Sequence, residues 1–189
     1  MEDLEKAILN ISPLSPEALK LFVSAWKSWN VGKDYFLVRE HAVADYIFFI
    51  NQGMARIYYK KNGKEITEWI APEKSFFLSI TSFFTRKAGK LIIHTIEPAE
   101  VMGIHYNDLN ALASIHHEIE TLYRKMLALS LMLSQERMES IQFETAEQRY
   151  KKLLANNPGF LQHVPLTYIA SFLGVTLETL SRIRSSVAG

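Results

Sequence analysis

The sequence contains no cysteine, so disulfide bonds, thiolate chemistry and cysteine-ligated zinc or iron–sulfur sites are excluded. It also has no uninterrupted apolar run long enough to cross a bilayer. Its start, MEDLEKAILN, has neither the basic nor the apolar region of a signal peptide. The net charge of +1 is low, so a surface that binds nucleic acid would have to concentrate its positive charge locally. We therefore expect a cytoplasmic protein with no membrane partner.

The common catalytic signatures are missing as well, since no GxSxG, P-loop or Rossmann motif occurs and no paired carboxylates have a catalytic setting. One alternative is a cupin-like metalloenzyme. His41, His94 and His105 fall in or beside predicted strands, and imidazoles that converge from strands can bind a divalent metal. The cupin pattern of closely spaced histidines with a downstream glutamate is absent, however. We expect neither an enzyme nor a metal site.

The composition is that of a globular protein, because 48% of the 189 residues are hydrophobic and 22% are charged. Residues 1–29 are predicted to be helical, and from about residue 30 strands follow. The segment 54–70, MARIYYKKNGKEITEWI, predicts a hairpin that turns at Asn62-Gly63. The segment 90–106, KLIIHTIEPAEVMGIHY, predicts a second hairpin that turns at Glu97-Pro98. Short antiparallel strands at this spacing indicate a sandwich, barrel or jelly roll.

A long helix is predicted from His116 to Glu139, where no proline or glycine occurs. Two apolar stripes run along it. One stripe can cover the chain's own β domain and the other can meet a second copy, although a helix buried all round within one subunit is the alternative. We predict that the first stripe is the dimer seam, and it consists of Ile119, Leu122, Met126, Leu129 and Leu133, spaced 3, 4, 3 and 4 residues apart. The second stripe consists of Tyr123, Leu127, Leu131 and Met138.

The segment 166–186, LTYIASFLGVTLETLSRIRSS, predicts two short helices joined by a turn. Gly174 permits the left-handed backbone that ends the first helix, and Thr176 can cap the second. Leu180 and Ile183 then point back toward the core. This spacing is typical of the DNA-binding helix-turn-helix, whose second helix lies in the major groove.

The outer face of the second helix favours DNA over the alternative of a plain helical hairpin. That face is polar and carries two arginines, which can pair with guanine edges or phosphate, and one acid, which can accept from cytosine. The predicted DNA-binding residues are Thr176, Leu177, Glu178, Thr179, Ser181, Arg182 and Arg184.

Taken together, these segments resemble the Crp/Fnr family of bacterial transcription regulators over nearly the whole chain. DYIFFINQGMARIYYKKNGKEI resembles the family's β-roll strands, and LTYIASFLGVTLETLSRIR resembles its helix-turn-helix. The resemblance implies an α+β fold with an N-terminal antiparallel, jelly-roll-like β-roll, a long dimerisation helix and a C-terminal helix-turn-helix domain. The corresponding ranges are 1–110, 111–142 and 143–189.

The same resemblance implies a homodimer that binds palindromic double-stranded DNA, with RNA polymerase as a further partner. It places Glu178 and Arg182 on base-reading positions, and Thr176 and Ser181 near phosphates. Leu177 stands where many members carry an arginine that reads guanine, so the target sequence should differ from theirs. The alternative is a protein-interaction module that kept the fold and lost DNA binding.

Cyclic nucleotide binding is not expected. Where family members that bind cyclic AMP have a Gly-Glu pair and an Arg-Ser or Arg-Thr pair, this chain has Leu78-Ser79 and Gly89-Lys90. The phenylalanines of this segment either fill the pocket or line a site for a less polar effector, so we expect no cofactor and leave the effector unidentified. The candidate pocket residues are Phe77, Leu78, Ser79, Arg86 and Lys90.

Overall fold

The structure is a computed structural model that describes residues 1–187, and it has an α+β fold with two antiparallel sheets and a helical C-terminal part. The helices are α1 Glu2–Ile11, α2 Pro16–Ser24, α3 Ile80–Thr85, α4 Tyr106–Ile115, α5 His117–Phe143, α6 Ala146–Asn156, α7 Phe160–His163, α8 Leu166–Leu173 and α9 Leu177–Val187. The strands are β1 Trp26–Val31, β2 Phe36–Val38, β3 Tyr46–Gln52, β4 Ala55–Lys61, β5 Lys64–Ala71, β6 Phe76–Phe77, β7 Ile92–Thr95 and β8 Ala99–His105. Within residues 1–187, no helix is both long and apolar enough to cross a membrane.

The two sheets each have four strands, in the orders β1-β8-β3-β6 and β2-β7-β4-β5. Their apolar inner faces pack against each other, which explains why strand β3 is apolar at successive positions. Phe48 and Ile50 point between the sheets, whereas Ile47 and Phe49 point outward and pack under the helices α1, α2 and α5. A strand that is covered on both faces has a continuous run of apolar residues in its sequence.

The predicted hairpin around Asn62-Gly63 is confirmed. Strands β4 and β5 pair antiparallel from Ala55↔Ala71 to Lys61↔Lys64. Asn62 has φ 51° and Gly63 has φ 73°, which is the positive-φ pair that a type I′ turn requires.

The second predicted hairpin is wrong, although both of its strands exist. Strand β7 pairs with β2 and β4, whereas β8 pairs with β1 and β3, so the turn at Glu97-Pro98 carries the chain from one sheet to the other. Two adjacent strands joined by a short turn can cross between layers, and strand patterning does not distinguish that crossing from a hairpin.

The helical prediction for residues 1–29 is wrong over its last four residues. Trp26 opens strand β1, which pairs with β8 along its whole length. The ring of Trp29 lies edge-on to Tyr46, 5.4 Å between centroids, above Gly103. A β-carbon at Gly103 would come within 2.9 Å of that ring, so the absence of a side chain at this position of β8 makes room for Trp29.

The helical C-terminal part packs against the outer face of the second sheet. Strand β5 is the edge of that sheet, and an edge strand leaves backbone groups unpaired. Ser171 of α8 pairs two of them, because its Oγ accepts from the backbone N–H of Thr67 at 2.8 Å and its hydroxyl donates to the carbonyl of Glu65 at 3.2 Å. The helix-turn-helix is therefore held to the β-roll by direct contacts.

A buried arginine supports the same contact. Arg56 of β4 is only 1% exposed, and its guanidinium lies between the rings of Tyr58 and Tyr168, at 4.3 and 3.7 Å from their centroids. It donates to Thr67 Oγ1 at 2.9 Å and to a Glu65 carboxylate oxygen at 2.6 Å. Its charge is thus paired, as a buried guanidinium requires.

Candidate nucleic-acid interface

Helices α8 and α9 form the predicted helix-turn-helix. Gly174 ends α8 with φ 71°, and the N–H of Val175 closes the turn onto the carbonyl of Ala170 at 3.0 Å. Thr176 caps α9, because its Oγ1 accepts from the backbone N–H of Thr179 at 3.2 Å. The sequence reasoning placed each of these turn residues correctly.

One side of α9 is buried and the other faces solvent. Leu180 is fully buried, and Ile183 packs with it against α8 and α6. With about 100° per residue, Glu178 and Arg182 lie at the centre of the opposite, exposed face. Ser181 is exposed beside them, and Thr179 is half-buried at its edge.

Two predicted DNA-binding residues lie on the flank of α9 rather than on its outer face. Leu177, 44% exposed, and Arg184, also exposed, are offset from the buried Leu180 by only about 40–60°. A side chain at that angle points along the protein surface, so it can reach a DNA backbone more readily than a base edge. The outer face is therefore dominated by Glu178 and Arg182.

The contacts of Glu178 favour its ionised form. Hydrogen bonds from its own backbone N–H and from the Thr176 hydroxyl, helped by the charge of Arg182, lower the pKa of Glu178. The carboxylate also lies in the first turn of α9, where the helix dipole favours negative charge.

The first three residues of the predicted dimer seam lie on the face of α5 that is turned toward its own chain. Ile119 and Leu122 are fully buried against α1, α2 and α4, and Met126 packs against the same core. Leu129 and Leu133 continue this face and line a cavity at the junction of the β-roll and the helical C-terminal part. The seam prediction is therefore corrected for Ile119, Leu122 and Met126, which pack within their own chain. Leu129 and Leu133 are 42% and 48% exposed, so they stay predicted seam residues.

The second stripe of α5 is exposed as well, although Leu127 also lines the cavity at the junction of the β-roll and the helical C-terminal part. Leu131 is 70% exposed, and Leu127, Met138 and Ile141 are exposed on the same face, spaced 4, 7 and 3 residues apart. Tyr123, at the start of this stripe, stacks on Phe84. Leu127, Leu131, Met138 and Ile141 are called the exposed stripe from here on. A row of large apolar side chains of this kind indicates a surface that another protein covers.

Of the five candidate pocket residues, only Phe77 and Leu78 line the same cleft, which lies against α5. Leu78 lines the junction cavity, and Phe77 stacks on Phe48 with 5.3 Å between ring centroids. Ser79 is buried at the start of α3, whereas Lys90 is exposed.

Arg86 is bound to other parts of the β-roll. Its guanidinium pairs with the carboxylate of Asp45, donates to the carbonyl of Ala44 at 2.8 Å and lies 4.3 Å from the centroid of the Tyr106 ring. Beside it, Ser82 Oγ accepts from the N–H of Ala44 at 2.9 Å. These contacts occupy the groups that a bound phosphate would need.

The histidines that suggested a metalloenzyme lie on different sheets or outside the strands. His94 is in β7, His105 is at the end of β8, and His41 lies in the loop before β3. Among residues 1–187, no three His, Asp or Glu side chains form a group that could hold a metal ion. His94 is buried beside Tyr58 and Arg56, and burial together with the charge of Arg56 lowers its pKa. It therefore serves as a neutral packing group.

The sequence reasoning missed the junction cavity, which has a volume of about 420 Å³. It lies between strand β5, helix α5 and the helices α6 to α8. A signal for it was present, because Arg137 follows Leu133 by four residues on an otherwise apolar helix face. The residues that define the cavity are Trp69, Phe76, Leu133, Arg137, Arg149 and Phe172.

The fold is found in several solved structures of regulators. FixK2 from Bradyrhizobium japonicum is 20% identical and has a TM-score of 0.72 over 86% of this chain and 84% of that chain. The c-di-GMP responsive global regulator CLP from Xanthomonas campestris is 15% identical, with a TM-score of 0.69 over 92% of each chain. The catabolite activator protein of Thermus thermophilus is 18% identical, with a TM-score of 0.59 over 94% of this chain and 85% of that chain.

No protein-family model and no curated protein matches the sequence. The likeness is thus one of three-dimensional structure, and it extends over both the β-roll and the helix-turn-helix. The chain has the fold of the Crp/Fnr regulators.

Proposed function

We propose that this protein is a homodimeric, cytoplasmic transcription regulator that binds palindromic DNA through α9. The observation that carries the proposal is the outer face of α9, where Glu178 and Arg182 are exposed on a helix whose other side is anchored by the fully buried Leu180. A rigid helix that presents an acid and a guanidinium can read base edges in the major groove. The proteins of similar fold are regulators, which supports this assignment.

The second part of the proposal is the dimer, with the exposed stripe of α5 as its seam. Stripes from two copies would cover each other about a two-fold axis, as in a short coiled coil. The two α9 helices would then enter successive major grooves roughly 34 Å apart. We assign no enzymatic activity to the chain, and RNA polymerase is a further proposed partner.

Cyclic AMP is not proposed as the effector. The positions that would hold a cyclic nucleotide are Leu78, Ser79, Gly89 and Lys90, which provide no guanidinium for the phosphate. Arg86, the nearest guanidinium in sequence, is already paired with Asp45.

The experiment that tests the proposal is selection of bound sequences from a random duplex library at a fixed salt concentration. We expect enrichment of a palindrome whose half-site centres are about 10 base pairs apart. Enrichment of a single half-site would contradict the dimer. If the wild-type protein enriches no sequence, with or without candidate effectors, the result would favour the protein-interaction module. The exposed apolar side chain of Leu177 would also be compatible with a protein partner.

A further inference from the structure

The junction cavity contains a second feature besides its volume, namely two arginines that form no salt bridge within residues 1–187, although the charge of Glu68 is close enough to act on Arg137. Arg137 donates to the carbonyl of Phe172 at 2.7 Å and lies 3.9 Å from the centroid of the Phe172 ring. Arg149 donates to the carbonyl of Leu173 from Nε at 3.1 Å and from Nη2 at 2.9 Å. Within residues 1–187, neither guanidinium forms an ion pair with a carboxylate.

The other charged groups of the cavity wall are already paired. Lys152 bonds Glu136 at 2.9 Å and Glu144 at 3.4 Å. The excess charge of the wall is therefore positive and belongs to Arg137 and Arg149. Burial in the wall lowers the pKa of Arg137 to about 10, so the side chain stays protonated at neutral pH although its charge is poorly solvated.

The rest of the cavity is apolar and suited to a small molecule. Trp69, Phe76, Leu133 and Phe172 supply aromatic and aliphatic walls, and the volume of about 420 Å³ lies within the range of small-ligand pockets. A neutral apolar ligand would leave Arg149 without a counter-charge and Arg137 with only that of Glu68, whereas an anionic group would help to repay the desolvation of both guanidiniums.

From these observations we propose that the junction cavity binds an amphiphilic monoanion, a molecule with an apolar aromatic or aliphatic body and one carboxylate or sulfonate group, with Arg137 as the anion partner. An adjoining cleft of about 400 Å³, which shares Leu133 and Trp69 with the junction cavity, is also lined by Arg137. Glu68 lines that cleft and not the junction cavity, so its negative charge disfavours an anion there.

The site also has a regulatory consequence, which rests on the DNA-binding function proposed above. Phe172 and Leu173 are the last residues of α8, and their carbonyls are among those that a helix C-terminus leaves free. An anion that draws either guanidinium away from these carbonyls would weaken the attachment of the helix-turn-helix to α5 and α6. Ligand binding would then bias the position of α9.

The test uses two fluorescent probes and the full-length protein without DNA, so its failure leaves the DNA-binding proposal intact. The anionic probe is 1-anilinonaphthalene-8-sulfonate, and the neutral control is N-phenyl-1-naphthylamine, which has the same rings without the sulfonate. We expect saturable binding of the anion at one site per chain. Arg137→Gln should weaken that binding about tenfold and change binding of the neutral probe by less than about twofold.

Three further variants keep the result interpretable. Arg137→Lys restores a cation and should recover most of the anion affinity, which excludes misfolding as the cause. Arg124→Gln, an exposed arginine of the same helix outside the cavity, should have no effect. Glu68→Gln, which removes the nearest acid of the adjoining cleft, should tighten anion binding slightly.

Three outcomes would overturn the proposal. The first is an equal loss of both probes in Arg137→Gln, since it would show that the guanidinium supports the cavity without binding the anion. The second is an equal effect of Arg124→Gln and Arg137→Gln. The third is no saturable binding of either probe, since it would show that the cavity does not admit a small molecule in solution.

Discussion

Replacement of Leu131 and Met138 by glutamate is expected to convert the protein from a dimer to a monomer. Both side chains belong to the exposed stripe, and in a two-fold seam each would lie close to its own copy on the partner helix. Four carboxylates buried in one apolar interface are costly, so the dimer should weaken by about 100-fold or more. Sedimentation over a range of micromolar concentrations measures the change directly.

The same substitution should leave the single chain folded, because Leu131 and Met138 are exposed within one chain. Met132→Glu is a matched control, since Met132 is 64% exposed on the same helix but lies about 120° away from Met138 around the axis. We expect this control to remain a dimer. If the double variant sedimented as the wild type does, the exposed stripe would not be the seam.

Arg182→Ala is expected to remove most of the sequence preference of the selected operator. A bidentate contact between arginine and guanine contributes about 1–3 kcal/mol, and a palindrome contains two such contacts. Affinity for the operator should therefore fall by about 30-fold or more. Affinity for unrelated DNA should fall much less, because nonspecific binding depends on phosphate contacts. Titrations of both duplexes at one salt concentration measure the ratio.

Arg184→Ala is the control for this effect, since it removes the same charge from the same helix at a flank position. We expect it to weaken binding to all sequences by a similar small factor and to preserve the consensus. If Arg184→Ala lost sequence specificity and Arg182→Ala kept it, Arg184 and not Arg182 would face the bases. The orientation of α9 in the groove would then differ from the one proposed.

The parts of the fold that the sequence predicted are those with local signals. Asn62-Gly63 permits one type of tight turn, so the β4–β5 hairpin follows from two residues and their flanks. Gly174 and Thr176 similarly determine where α8 ends and α9 begins. In both cases, the backbone geometry of a few neighbouring residues decides the outcome.

The parts that were wrong depend on contacts between distant segments. Both apolar stripes of α5 were visible in the sequence, but periodicity does not show which of them packs against α1 and α2. The same reason explains the second hairpin, because β7 and β8 have the pattern of paired strands while each pairs with strands from earlier in the chain.

The junction cavity was also missed, because one arginine on an apolar helix face does not show which segments close a cavity around it. It is formed by β5, α5, α6 and α8, and its two arginines are twelve positions apart in sequence, one on α5 and the other on α6. The docking through Arg56, Tyr168 and Ser171 was missed for the same reason, since none of these residues has a local partner that reveals its role.

The central claim, that α9 enters the DNA groove, is tested most directly by cleavage from a single tethered reagent. The chain has no cysteine, so Ser181→Cys creates one unique attachment point for an iron chelate on the outer face of α9, and Ser114→Cys creates a control point on α4. We predict two symmetric cleavage patches on the selected operator, about one helical turn apart, from position 181 and none from position 114. Equal cleavage from both positions, or none from position 181, would contradict the account.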